Sequence, residues 1–247
     1  MKLNVAVSQY KIPEKVEDSI EKLDEIAAQA AKQNVQLLVA PETAIGALVA
    51  IATTFYTTDN SRYYNQGYIV SSTGEILHTH RKIYLAPPER DTDGISAGNN
   101  VAVSKTPLGN LSMLICKDGF NRFSHFLYEK LNKLGAEIIC IPTWSLGWDE
   151  MKTDEYVNSL FVYGAFASRA FVLVSGNLNK ETKSFGRSLI VSPIRGVLQK
   201  GSRDKEELFI ADIDLEEVKK ARAFDSWWQP APPTKAPVCE ANSQFCL

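Results

Sequence analysis

Two segments constrain this chain more than any others: VQLLVA at 35–40 and AEIICI at 136–141. Each is a near-continuous apolar run of strand length, and a strand apolar on both faces must be covered on both. Each also follows an amphipathic segment. Ile20, Leu23, Ile26, Ala27 and Ala30 keep helical spacing between Pro13 and Asn34, and Phe126, Leu127, Leu131 and Leu134 do so before Gly135. With the alternating run Leu3 to Gln9 in front, the order strand, helix, strand predicts a right-handed βαβ crossover. KQNVQLLVAPET at 32–43 and KLGAEIICIPTW at 133–144 repeat one plan of helix end, buried strand, Pro and an opening, which suggests two similar halves.

Between the halves, turns at Ser72 to Gly74 and at Leu108 to Asn110 are flanked by alternating runs and predict hairpins. Another hairpin is predicted over Gly186 to Gln199, then a strand at Glu207 to Ile213 and a helix at Leu215 to Arg222. Val157 to Val174 reads as a buried helix and a strand, because Asn158, Ser159, Ser168 and Arg169 interrupt any membrane span. His78 and His80 are expected at two outward positions of a strand. Ile45 to Phe55 is too apolar for a free loop and is predicted to pack as a strand on its own sheet or on a neighbouring subunit. After Trp228 the chain turns to QPAPPTKAP, so residues 1–228 are expected to form one domain and 229–247 a Pro-rich arm.

Charge narrows the partners. With 27 Lys plus Arg against 29 Asp plus Glu, the net charge of −2 supplies no field for nucleic acid or an anionic membrane. MKLNVAVSQYKIPEK lacks the features of a signal peptide, so a cytoplasmic location is expected. Cys116, Cys140, Cys239 and Cys246 show no C-x-x-C spacing, and with only His78, His80 and His125 available no metal and no cofactor are expected.

Three residues can do chemistry together. Cys116 ends the apolar run LSMLIC, where Lys117, Asp118 and Gly119 open a turn toward a helix. Near cations and a helix start, its thiol is expected to have a lowered pKa and to react faster than Cys140; alone it reads more readily as a small buried hydrophobe. Glu42 stands at the mouth of VQLLVA and Lys82 at the end of EILHTHRK, and singly each suits a surface charge. As a set, a thiol, a carboxylate and an ammonium on three strand ends are what acyl transfer from nitrogen to water needs.

APET at 40–43, THRKIYL at 79–85 and LICKD at 114–118, in that order, resemble the nitrilase superfamily of carbon-nitrogen hydrolases. The likeness extends through LNVAVSQ, YNQGYIVSSTGEIL, GAEIICIP, SGN at 175–177, GRSLIVSP and LFIADIDL. It implies a single-domain α/β fold, a four-layer αββα sandwich, with Cys116 as nucleophile, Glu42 as general base and Lys82 as oxyanion partner. It further implies Glu89 as a second glutamate, with Asp91 close by, the Lys117 N–H facing the oxyanion, and Trp144 lining the pocket. The implied substrate is a small amide or nitrile, and the implied assembly a homodimer or higher homo-oligomer. The implied reaction cleaves a non-peptide C–N bond through a cysteine thioester, releasing ammonia or an amine. The alternatives are an N-acyltransferase-like member and a catalytically silent binding protein on the same fold. The chain departs from the family pattern in C-K-D-G-F-N-R-F, which lacks a Pro-Glu pair, in AFASR at 165–169, and in the short stretch between Glu42 and Lys82.

Overall fold

Which face of each strand is apolar decides which layer it meets. The computed structural model describes residues 1–42, 50–59, 61–91, 93–144, 153–179 and 184–225. The first half runs β1 (Lys2–Gln9), α1 (Val16–Lys32), β2 (Leu37–Val39), β3 (Ala50–Asp59), β4 (Arg62–Val70), β5 (Ile76–Arg81) and α2 (Pro87–Asp91). The second runs β6 (Ser104–Thr106), β7 (Gly109–Met113), α3 (Lys117–Phe120), α4 (Ser124–Leu134), β8 (Ile138–Thr143), α5 (Thr153–Ser168) and β9 (Phe171–Gly176). There follow β10 (Leu178–Asn179), β11 (Ser184–Phe185), β12 (Leu189–Ser192), β13 (Gly196–Lys200), β14 (Glu207–Asp214) and α6 (Glu216–Asp225).

The strands form two sheets of order β14-β1-β2-β3-β4-β5 and β13-β12-β9-β8-β7-β6. Each has a parallel centre, β1 with β2 and β3 in one and β7 with β8 and β9 in the other, flanked by antiparallel pairs. Leu3, Val5, Val7, Leu37 and Val39 of the first sheet meet Ile138, Cys140, Phe171, Leu173 and Ile190 of the second. The alternate residues turn outward. Ala6 and Leu38 pack on Leu23, Ile26, Ala27 and Ala30 of α1. Ile139, Ile141, Val172 and Val174 pack on Leu127, Tyr128, Leu131, Phe161 and Ala165 of α4 and α5. Helix, sheet, sheet, helix is the expected αββα sandwich, and full burial of each Leu, Ile, Val or Phe in it contributes about 1.5–3 kcal/mol.

The two halves share their helix endings. Asn34, at φ 57°, and Gly135, at φ 86°, both adopt the left-handed conformation. In each case the following N–H reaches back, Val35 to the Ala30 carbonyl and Ala136 to the Leu131 carbonyl. This closing turn points each chain directly into its buried strand.

Some expectations are corrected. His78 and His80 face inward, each 4% exposed, because the inner surface of β5 meets polar groups of the second half: Ser104 Oγ of β6 at 2.9 Å and Asp118 Oδ2 of α3 at 2.9 Å. Phe126 and Leu134 lie on the solvent side of α4, since its core face is filled by Leu127, Tyr128 and Leu131. Of the segment Ile45 to Phe55, residues 50–55 belong to β3, parallel to β2 and antiparallel to β4, while 45–49 lie outside the described residues. The arm at 229–247, with Cys239 and Cys246, also lies outside them. No described helix is long and apolar enough to cross a membrane.

Candidate active site

Glu42 follows the end of β2, Lys82 follows β5, and Cys116 lies between β7 and α3; all three are buried. The lysine backbone is held on both sides. Its N–H donates to the Asn65 carbonyl at 2.9 Å, and its carbonyl accepts from Gly98 N–H at 2.8 Å. Gly98 must be glycine there, because a Cβ would stand 2.3 Å from the Arg81 carbonyl oxygen.

Lys82 Nζ donates to Glu42 Oε1 at 2.9 Å and to Glu89 Oε1 at 3.0 Å, with Glu89 Oε2 at 2.9 Å. Asn65 Nδ2 spans the same two oxygens, at 2.7 Å from Glu42 Oε1 and 2.8 Å from Glu89 Oε1. Backbone donors complete the pair: Trp144 N–H to Glu42 Oε2 at 2.8 Å and Ala86 N–H to Glu89 Oε2 at 2.7 Å. Glu42 and Trp144 are supplied by the openings of the two repeated buried strands, so the halves of the chain meet at this carboxylate.

Cys116 has φ 48° and ψ −110°, a strained conformation for a residue with a Cβ. Its N–H donates to the Pro142 carbonyl at 2.9 Å, and its carbonyl accepts from Gly119 N–H at 2.9 Å. The thiol lies 3.9 Å from the Trp144 carbonyl oxygen. Such a sharp turn at a strand end lifts a nucleophile out of the sheet.

The electrostatics revise one expectation. Burial, then the charge of Glu42, push the Cys116 thiol well above its ordinary range, and the opposing pull of Lys82 does not offset them. The resting sulfur is a thiol, not the expected low-pKa thiolate. Lys117 does not help, since its ammonium turns to the Leu85 carbonyl at 2.8 Å. Burial works against the Lys82 ammonium, but the Glu42 and Glu89 charges and the Glu42 hydrogen bond outweigh it and hold Lys82 firmly protonated.

Glu89 is therefore the second glutamate of the cluster, while Asp91 is exposed and pairs with Arg90. Trp144 contributes main chain rather than ring: its side chain leans on the core under α1. Asn65, His80 and Asp118 were not among the expected site residues, yet all are buried at or beside it. Among the described residues no cluster of His, Cys, Asp and Glu is arranged to hold a metal.

Residues 47–223 match the family model described as carbon-nitrogen hydrolase. The chain belongs to the carbon-nitrogen hydrolase family. It is 29% identical over 239 residues to nitrilase 3 of Arabidopsis thaliana, a match covering 90% of this chain and 62% of that one. It is 30% identical over 165 residues to 2-oxoglutaramate amidase of Bacillus subtilis (strain 168), covering 66% and 61%. The chain thus spans about three-fifths of these curated relatives. A mutant of the amidase from Nesterenkonia sp. AN1 superposes with a TM-score of 0.75 at 18% identity, over 91% of this chain and 96% of that one, so the carbon-nitrogen hydrolase fold is shared.

Proposed function

We propose that this chain is an amidase that cleaves the C–N bond of a small amide through a thioester on Cys116 and releases ammonia or an amine. The observation that carries the reading is the buried convergence of Glu42, Lys82 and Glu89 beside a cysteine in a strained strand-end turn. The Nesterenkonia amidase mutant, which carries an acetamide moiety covalently bound at its active-site cysteine, lends support.

Because the thiol rests protonated, attack and proton transfer are coupled. Cys116 Sγ bonds to the amide carbon as its proton passes to Glu42. The carbonyl oxygen gains the negative charge and is met by the Lys82 ammonium and the Lys117 N–H. As the C–N bond breaks, Glu42 returns the proton to the leaving nitrogen. Water then attacks the thioester, giving a proton to Glu42. Collapse releases the carboxylic acid and restores the thiol. Glu89 holds Lys82 in place throughout.

The test is ammonia release from a panel of small amides and nitriles, with intact-mass detection of an acyl adduct. Turnover with an adduct on Cys116, both lost in Cys116→Ala, is expected. Turnover that persists in Cys116→Ala would overturn the proposal, as would turnover that requires an added amine acceptor.

A further inference from the structure

Lys82 follows a strand of one sheet and Cys116 follows a strand of the other. What joins the sheets is mainly apolar contact, which is non-directional and fixes spacing better than lateral position. Directional links are fewer, and one of them lies directly beside both residues. The Asp118 carboxylate is fully buried, and Oδ1 accepts from Tyr84 N–H at 2.7 Å and Ile83 N–H at 3.0 Å. Its Oδ2 accepts from Ile115 N–H at 3.2 Å and pairs with His80 Nε2 at 2.9 Å. One carboxylate thus grips residues 80, 83 and 84 around Lys82 and also closes the turn from 115 to 118 that strains Cys116.

We infer that Asp118, with His80 as its side-chain donor, is a positioning residue that fixes the Lys82 ammonium relative to the Cys116 sulfur. It touches neither substrate nor the reacting atoms, and its kinetic readout rests on the amidase reading. Displacement of a catalytic group by about 1 Å can cost on the order of a hundredfold in rate. A carboxylate with only backbone partners would stabilise its turn; this one also binds the strand that delivers the lysine.

The test uses the full chain and needs no substrate. Cys116 alkylation by iodoacetamide, followed by intact mass, gives rate constants for wild type, Lys82→Met, Asp118→Asn and the double variant. Lys82 favours the thiolate, so Lys82→Met should slow alkylation about tenfold or more in the wild-type background. In the Asp118→Asn background the same change should have less than about a threefold effect, because the two groups are no longer held together. An equal effect in both backgrounds would overturn the inference, since a merely stabilising Asp118 would lower the melting temperature without changing this coupling. Should Asp118→Asn fail to fold, the cycle in His80→Leu decides in the same way. His80→Gln, which keeps a donor near the Nε2 position, should restore the coupling, and on an amide substrate it should restore kcat with little change in KM. Wild type that releases no ammonia would defeat the amidase reading alone and leave the alkylation cycle to judge Asp118.

Discussion

Replacing Lys82 with Met removes the ammonium that the structure places between Glu42 and Glu89. The consequence can be scaled from the geometry. Both Oε1 atoms lie within 2.8 Å of the same Asn65 nitrogen, which keeps them no more than about 5.5 Å apart. At that separation and an effective dielectric near 20, two carboxylates repel by roughly 3 kcal/mol. Breaking a buried ion pair from one side typically costs about 3–5 kcal/mol, so the two estimates agree in size. For a chain of this length that corresponds to a melting temperature lower by about 6–20 °C. Turnover should fall on the order of a hundredfold or more, as for loss of an oxyanion donor. Differential scanning calorimetry at neutral pH and ammonia release provide the two readouts. Adding Glu89→Gln to Lys82→Met should recover part of the stability and none of the turnover, because it relieves repulsion without restoring an oxyanion partner. A Lys82→Met protein that melts within about 2 °C of wild type would refute the electrostatic argument.

Further outcomes follow from other parts of the molecule. His78 is buried, and burial followed by the nearby His80 lowers its pKa from 6.5 to about 4. The unfolded chain therefore binds a proton that the folded chain refuses between those values, and stability falls as pH drops through that window, by about 3 kcal/mol in full. Urea unfolding of wild type and His78→Asn from pH 7 to pH 4 should show the variant losing less; parallel curves would exclude His78 as the cause. Cys140 is raised by burial alone, whereas at Cys116 the Lys82 charge works against burial and favours the thiolate, so a small neutral haloacetamide should modify Cys116 and leave Cys140 intact in native protein. Peptide mapping reads this; preferential loss of Cys140 would contradict it. Gly98→Ala should cost about 1–3 kcal/mol and reduce turnover, because its Cβ collides with the Arg81 carbonyl beside Lys82. Unchanged melting and kinetics would show that the backbone yields there freely.

Patterning made the buried strands and their covering helices legible, while the four-layer sandwich itself was implied by the family resemblance. VQLLVA and AEIICI are apolar on both faces, and they form the parallel β2 and β8 between a helix and the opposite sheet. Asn65 was hidden by a single irregularity. Counting back from the Ser72 to Gly74 turn sets it opposite Arg81, but a bulge between Ile69 and Val70 shifts the register by one, so Gln66 pairs with Arg81 and Asn65 binds Lys82. The inward phase of His78 and His80 was hidden for a related reason. Polar residues read as outward until the facing surface is known to carry Ser104 and Asp118.

The thiol shows a different limit, one of energetics rather than register. From sequence, Lys82 and Lys117 both argued for a thiolate at Cys116. Burial reverses the balance: Lys117 is tied to the Leu85 carbonyl, and Lys82 is shared between two carboxylates before the sulfur is counted. A resting thiolate would place a third negative group beside that one ammonium. On the amidase reading, Glu42 would accept the proton on sulfur, and the transfer would be favoured as negative charge moves from sulfur to a substrate oxygen met by Lys82. On that reading the site is arranged for charge that develops during attack and not for charge stored before it. On this view the raised thiol pKa and the buried lysine are two aspects of one arrangement.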